Sequence, residues 1–274
     1  MKDDFYLRFW GVRGSCASPG VDTLIYGGNT SCVEVRAGDR LLILDAGTGL
    51  IPLGTNLREL DGALQADLLL SHIHYDHIMG LPFFSPAYHP DSQLRIWAGN
   101  CNGGIEAAMH RFVQPPFFPV PLKGMSAQFS FHDFISGDTL ALSGEVQVRT
   151  TALNHPDGAT GYRIDYDGRS ICYITDTEHP KEGLDDKIVT LIQDADIVIY
   201  DATYNDDDYP AHLGWGHSTW EVGLALCEKA NAGTLVVFHH APERTDAELR
   251  ALDQVIHLRR PGSVVAREGM VLKP

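Results

Sequence analysis

The sequence has few cysteines and a shortage of basic residues, and each excludes a class of protein. Its 274 residues include five cysteines, an odd number, and none of them forms a C-x-x-C pair. We therefore expect reduced thiols, not a disulfide framework. Lysine and arginine number 21 against 36 acidic residues, a formal net charge of -15. Because binding to nucleic-acid phosphates needs many basic side chains, we do not expect a nucleic-acid polymer as partner.

Long uncharged apolar runs are also missing. No segment approaches the about 20 residues that a transmembrane helix needs, and Met1–Phe5 lacks the basic and then apolar pattern of a signal peptide. We therefore expect no membrane association and a cytoplasmic protein. No low-complexity linker divides the chain, which predicts a single domain over residues 1–274.

What the chain does have is a dense group of histidines and aspartates. His72, His74, Asp76 and His77 lie within six residues and follow Asp67–Leu70, an apolar run that predicts a buried strand. Side chains repeat every two residues at a strand end, so His72 and His74 point the same way. If a helix begins directly afterwards, Asp76 and His77 project toward the same cavity. This layout predicts two imidazoles for one divalent ion, with Asp76 and His77 addressing a second.

Apolar residues that alternate or form short runs predict strands, and apolar residues at helical spacing predict helices, in both halves of the chain. Each half ends in a strand followed by ligand-type residues. Two packed sheets with helices outside, and a metal site at the strand ends, account for this order as a layered α/β (α+β) fold. The pattern weakens at about 83–131, where the proline-rich Pro115–Pro121 cannot be a regular helix or central strand. We therefore predict an inserted, lid-like segment there, with a packed surface loop as the alternative.

The H-x-H-x-D-H pattern of residues 72–77 resembles that of the metallo-β-lactamase superfamily. The resemblance implies a four-layer αββα sandwich and a metal-dependent hydrolase. The remaining parts of the family's pattern follow in order. His155, after a predicted strand, would join His72 and His74, and Asp176, at the end of another, would bridge both ions.

One of two adjacent histidines completes the second site in this resemblance. His239 and His240 both follow the apolar strand Leu235–Phe238. In the family, four strand residues precede the ligand, which favours His239. Alternation along the strand does not decide between them, because strand ends often twist or bulge.

The implied ligands are nitrogen and carboxylate atoms, without cysteine. Such a set suits Zn²⁺, with Mn²⁺ or Fe²⁺ as alternatives. Two ions this close would lower the pKa of a bridging water and stabilise both the attacking and the leaving oxygen. The resemblance implies that a metal-bridging hydroxide attacks the substrate and that Asp76 orients it.

Asp201 and His217 form a second candidate pair. Asp201 ends the apolar strand Ile197–Tyr200, and His217 precedes a predicted helix. Here the chain resembles the phosphodiesterase branch of the superfamily, which includes the ribonuclease Z-like tRNA endonuclease. In that branch a carboxylate–histidine pair serves the leaving group, because a histidine held by a carboxylate can stay protonated and donate a proton. The alternative is that Asp201 caps a turn and His217 caps its helix.

These patterns together predict a phosphodiesterase acting on a small or cyclic phosphodiester. Hydrolysis of a carboxylic ester, thioester or lactam is the first alternative, and a non-catalytic metal-binding or signalling module is the second. A small-molecule substrate is expected, and a homodimer is left open. Arg13, Asn29 and Asp45 are expected near the cavity edge, where they either bind substrate or hold turns.

Overall fold

Fourteen strands and six α-helices form the regular structure of the residues that the computed structural model describes, 5–59, 63–142 and 144–274. The strands are β1 Phe5–Gly11, β2 Cys32–Ala37, β3 Arg40–Leu44, β4 Gln65–Leu70, β5 Gln93–Gly99, β6 Gln128–Phe134, β7 Thr139–Leu140, β8 Gln147–Leu153, β9 Ala159–Tyr166, β10 Arg169–Ile174, β11 Ile197–Asp201, β12 Thr234–Phe238, β13 Val264–Val265 and β14 Val271–Leu272. The helices are α1 Leu50–Glu59, α2 Tyr75–Ile78, α3 Ile105–Phe112, α4 Asp186–Leu191, α5 Trp220–Lys229 and α6 Asp246–Arg259. Residues 1–4, on which the expectation of no signal peptide rests, lie outside the described part.

The strands form two seven-stranded sheets. Their orders are β14-β1-β2-β3-β4-β5-β6 and β13-β12-β11-β10-β9-β8-β7. In the first sheet β1 to β3 pair antiparallel and β3 to β6 parallel. In the second, β7 to β10 pair antiparallel and β10 to β13 parallel. The two halves of the chain therefore build similar sheets.

Alternation along the strands sorts apolar side chains into three layers. Leu42 and Leu44 of β3 pack between the sheets, whereas Leu41 and Ile43 pack against the outer core that includes α1 and α3 residues. The second sheet does the same, with its outer core formed with α4, α5 and α6. Period-two alternation thus gives each sheet two apolar faces, one toward the other sheet and one toward helices. The predicted αββα sandwich is confirmed.

The segment at about 83–131, predicted to be an inserted lid, also contributes to the first sheet. Its residues include all of β5, which pairs with β4, and part of β6, which pairs with β5. That part of this segment acts as a lid stays a prediction. Among the described residues, no helix has the length and apolar content to span a membrane.

The parallel strands bring the candidate side chains to one edge of the sandwich. Ile174 of β10 pairs with Tyr200 of β11, and Asp201 pairs with Phe238 of β12. The residues that end or follow these strands therefore meet at their carboxyl ends. The loop after β4 reaches the same place from the first sheet, as the ring contacts of His72 with His155 and of His77 with His239 show.

Candidate metal centre

Three imidazoles form the first group of ligand-type atoms. His72 and His74 come from the loop after β4 and His155 from the loop after β8, and their ligand atoms lie within 4.8 Å of one another. Asp176 Oδ2 lies 3.8 Å from His72 Nε2 and 3.7 Å from His155 Nε2. Three clustered imidazole nitrogens, with a carboxylate oxygen beside two of them, form a donor set typical of Zn²⁺.

The second group shares Asp176 with the first. Asp176 Oδ1 lies 3.2 Å from Nε2 of His77 and 3.2 Å from Nε2 of His239. Asp76 Oδ2 faces the same two nitrogens at 3.1 and 3.4 Å. The two oxygens of Asp176 therefore face different groups, which is the arrangement that a bridging carboxylate needs.

Several nitrogens of this cluster fit metal ions better than any protein partner. Carboxylate oxygens lie near the buried Nε2 atoms of His72, His77 and His239, but within the described residues none of the three nitrogens is aligned for a hydrogen bond. A buried polar atom without a partner costs roughly 1–3 kcal/mol. The carboxylates of Asp76 and Asp176 are also buried, and buried carboxylates need pairing or coordination. The residues present therefore fit divalent cations.

The electrostatics of His77 and His72 point the same way. Burial lowers the pKa of His77, but the carboxylates around it, Asp176 foremost, more than offset this and hold the pKa well above its usual value. The surroundings thus favour a positive charge at Nε2, which a proton or a metal ion can supply. Burial dominates at His72 and holds its pKa well below the usual range, so this ring is neutral with a lone pair for a ligand bond.

Hydrogen bonds on the far side of the rings fix their orientation. His77 Nδ1 lies 2.7 Å from Asp45 Oδ2, and His155 Nδ1 lies 2.8 Å from the carbonyl oxygen of Gly216. When Nδ1–H donates outward in this way, Nε2 keeps its lone pair toward the cluster. Such outer partners are typical of metal-ligating histidines.

Asp45 is not at the cavity edge, where the sequence suggested it. It is fully buried and accepts hydrogen bonds from Ser71 N at 2.7 Å, Ser71 Oγ at 2.8 Å and Tyr173 Oη at 2.8 Å. Its position behind His77 makes it an orienting partner, not a substrate contact.

Arg13 and Asn29 have structural roles as well. Arg13 is fully buried and donates to the carbonyl oxygens of Gly27, Ala241 and Arg244. Asn29 donates its backbone and side-chain N–H groups to Glu268. Of the two roles left open for these residues, the structure supports the holding of turns.

The ambiguity between His239 and His240 has a geometric answer. His239 follows β12 with φ +62°, a left-handed conformation that turns its ring toward Asp176. His240 Nε2 instead lies 2.8 Å from the carbonyl oxygen of Ala266. A β-carbon at Gly14 would lie 2.4 Å from the His239 ring, so this close approach requires glycine. His239 is therefore the one that joins the cluster.

The predicted pair of Asp201 and His217 is also brought together. His217 Nδ1 lies 2.9 Å from Asp201 Oδ2, and Asp201 also accepts from Thr203 Oγ1 at 2.8 Å. Burial lowers the pKa of His217, but Asp201 more than offsets it and the pKa rises to about 9. Helix α5 is capped by Thr219, so His217 is not its cap. His217 Nδ1 lies 4.0 Å from Asp176 Oδ2, directly beside the cluster.

A cavity of about 800 Å³ opens onto the cluster. His72, Asp76, Asp176 and His217 are among its lining residues. The rest of the wall includes side chains that no local sequence pattern marks as functional: Tyr75, Met109, Arg111, Phe112 and Trp215. The cavity therefore has a polar floor that can hold ions and a partly aromatic wall.

Replacing Gly216 by alanine is expected to displace His155 and to lower the bound metal. A β-carbon at Gly216 would lie 2.3 Å from His155 Nδ1, and φ is +83°. The matched control is Gly214→Ala, since φ is +85° there and nothing lies within 4 Å of the added β-carbon. Both variants should lose about 1–3 kcal/mol of stability from backbone strain. Metal analysis should show a loss only for Gly216→Ala, and equal metal content in both would contradict the predicted clash.

The family to which the chain belongs, together with the His/Asp cluster, supports a metal-dependent hydrolase. The family model described as "Beta-lactamase superfamily domain" matches residues 40–240. The chain belongs to this superfamily, which confirms the family predicted from residues 72–77.

Three similar proteins extend this comparison. Ribonuclease Z of Haloarcula marismortui is 21% identical over 295 residues, covering 88% of this chain and 90% of the relative. A diphosphatase of the PhnP family has a similar structure, with a TM-score of 0.71, 19% identity and 98% coverage of both chains. Zn²⁺-bound PqqB from Methylobacterium extorquens has a TM-score of 0.74, 15% identity and coverage of 98% of this chain and 100% of its own. The structural likenesses bear on the fold alone.

Proposed function

We propose that the protein is a phosphodiesterase that uses two divalent metal ions to hydrolyse a small or cyclic phosphodiester. The observation that carries this proposal is the position of Asp176, whose two oxygens face two separate groups of imidazoles beside the Asp201–His217 pair. Two metal ions bound a few ångströms apart would stabilise the attacking and the leaving oxygen when a phosphate ester is cleaved.

The proposed ligands divide into two sets with one shared carboxylate. His72, His74 and His155 would hold one ion, and Asp76, His77 and His239 the other, with Asp176 between them. Zn²⁺ suits these donors, and Mn²⁺ or Fe²⁺ are alternatives. When bound, the ions would supply positive charge for the phosphoryl oxygens and lower the pKa of water in the site.

Asp76 is proposed to orient the attacking water. Ser15 N donates to Asp76 Oδ2 at 2.8 Å, which fixes the carboxylate at the cavity floor. A carboxylate held in this way can accept a hydrogen bond from water and so direct the lone pair of the water oxygen toward phosphorus.

His217 is proposed as the proton donor to the leaving oxygen. Asp201 engages Nδ1, so Nε2 is the nitrogen available to a substrate in the cavity that His217 lines. The negative charge of buried Asp201 stabilises the protonated ring. Proton transfer from Nε2 to the departing alkoxide would complete cleavage of the P–O bond.

The cavity favours a small substrate, and RNA is the second candidate. A volume of about 800 Å³ lies in the range of small-molecule sites, and the net charge of -15 opposes broad contact with a polyanion. The ribonuclease Z relative, however, covers most of the chain. The test of substrates therefore includes an RNA, although the negative net charge argues against an RNA substrate.

A substrate panel on the metal-loaded protein tests the proposal. It comprises bis-p-nitrophenyl phosphate, 2′,3′- and 3′,5′-cyclic nucleotides, a tRNA precursor, a thioester and a chromogenic lactam. We expect turnover of a small phosphodiester, and its loss when a chelator removes the metal. Lactam or thioester turnover without phosphodiester turnover would contradict the proposal, and cleavage of the tRNA precursor alone would favour the second candidate.

A further inference from the structure

The loop of residues 205–216, which we call the Trp215 loop, places an exposed tryptophan on the cavity wall. Trp215 is 61% exposed and lines the cavity beside His155 and His217. Aromatic side chains that line a small-molecule cavity provide surfaces on which the apolar parts of a ligand can pack.

A single carboxylate holds this loop on both sides of the tryptophan. Glu178 Oε1 accepts from Gly214 N at 2.9 Å, and Oε2 accepts from Gly216 N at 3.0 Å. Both glycines have positive φ, +85° and +83°, so the backbone turns sharply at either side of Trp215. Tyr209 Oη also donates to Glu178 Oε1 at 3.0 Å.

Glu178 is itself fixed to the body of the second sheet. Glu178 N donates to the carbonyl oxygen of Asn154 at 2.7 Å, and Asn154 Nδ2 donates to the carbonyl oxygen of Glu178 at 2.9 Å. Asn154 directly follows β8 and precedes His155. The Trp215 loop is thereby tied to the strand end that carries a proposed metal ligand.

We propose that Trp215 contacts the substrate by stacking on a planar ring substituent of the phosphodiester, and that Glu178 is a positioning residue that holds Trp215 in place. The inference rests on the proposed function and adds the chemical class of one ester group. An indole face suits a planar ring, since offset stacking gains attraction beyond simple burial. Tyr75 and Phe112, with ring centroids 6.3 Å apart, provide more aromatic wall in the same cavity.

Calorimetric binding of phenyl phosphate and methyl phosphate to the metal-loaded protein tests the role of Trp215. The two probes share the phosphate and differ in the ring, so the wild-type protein should bind phenyl phosphate about 3- to 10-fold more tightly. Trp215→Ala and Trp215→Leu should both remove this difference. Leu213→Ala, an exposed residue of the same loop outside the cavity lining, should retain it. A ring preference that survives both Trp215 variants would overturn the proposal.

The positioning role of Glu178 needs a separate readout. Glu178→Gln replaces one acceptor oxygen by a donor, so it should loosen Trp215 and lower the ring preference without changing metal content. Adding Glu178→Gln to Trp215→Ala should then cause no further loss in phenyl phosphate binding. Additive losses, or loss of metal through the neighbouring contact of Gly216 with His155, would show that Glu178 does not act through Trp215.

Binding and turnover separate this inference from the proposed function. A ring preference that depends on Trp215, without turnover of any phosphodiester, would contradict the proposed function. It would also contradict the substrate class inferred here, because the ring would then not belong to a substrate. Phosphodiester turnover without a Trp215-dependent ring preference would contradict only the stacking role.

Discussion

Asp176→Asn is expected to abolish binding of at least one of two metal ions and to lower phosphodiester turnover by about 1000-fold or more, equivalent to ~4 kcal/mol. Both oxygens of Asp176 face imidazole nitrogens, at 3.2 Å for Oδ1 and 3.7 to 3.8 Å for Oδ2. Asparagine has one oxygen, and its amide nitrogen donates hydrogen bonds and does not bind cations. One ligand group must therefore lose its shared donor.

The fold should survive this change. Asparagine matches aspartate in shape and tolerates the left-handed backbone at this position, where φ is +54°. The matched control is Asp167→Asn, in the turn between β9 and β10, where φ is +49° and the side chain is exposed. Metal analysis and turnover should be unchanged in the control. A normal metal content in Asp176→Asn would show that Asp176 does not bridge the two groups.

His217→Gln is expected to slow cleavage of phosphodiesters with alkoxide leaving groups by about 100- to 10,000-fold while leaving metal content unchanged. An alkoxide is a poor leaving group without a proton, so loss of the donor should be severe. A p-nitrophenoxide ion is stable unprotonated, so bis-p-nitrophenyl phosphate should be much less affected. The dependence of rate on the leaving group therefore identifies the role of His217.

Asp201→Asn provides the partner measurement. Asp201 holds His217 Nδ1 at 2.9 Å, so its loss should reproduce the selective slowing of alkoxide release. Buried Asp201 also accepts hydrogen bonds from the backbone N–H groups of Thr177 and Thr203. The thermal stability of the Asp201→Asn variant must therefore be measured in parallel. Equal slowing for both leaving groups would contradict the role of His217 as an acid, and loss of metal in His217→Gln would mean that His217 serves the cluster as a ligand.

The sequence was sufficient to predict the layers and the ends of strands that carry polar residues. The continuous apolar run Leu41–Leu44 indicates a strand buried on both faces, and the two-residue repeat of a strand sends Leu41 and Ile43 to one layer and Leu42 and Leu44 to the other. The strand β6 was not predicted, because it lies within the region of weak pattern around Pro115–Pro121. Its phenylalanines do alternate, and Phe129 and Phe131 pack together against the outer core.

The residues that support the site were harder to predict than those at its centre. Asp45 lies 32 positions before His77 in sequence, and no local pattern shows that the two are paired. The contacts of Glu178 with Gly214 and Gly216 span 36 and 38 positions. Such partners depend on how distant loops meet, which short-range periodicity does not encode. The preference for His239 over His240 depended on the resemblance to the family, in which four strand residues precede the ligand, whereas the orientation of His239 depends on a positive φ.

The proposed function depends on the carboxylate of Asp176 joining two metal ions. Anomalous X-ray diffraction from crystals of the Zn²⁺-loaded protein, measured on both sides of the zinc absorption edge, tests it most directly. We predict two peaks, one among His72, His74 and His155 and one among Asp76, His77 and His239, with an oxygen of Asp176 directed at each. A single peak, or two peaks of which one has no contact with Asp176, would contradict the account.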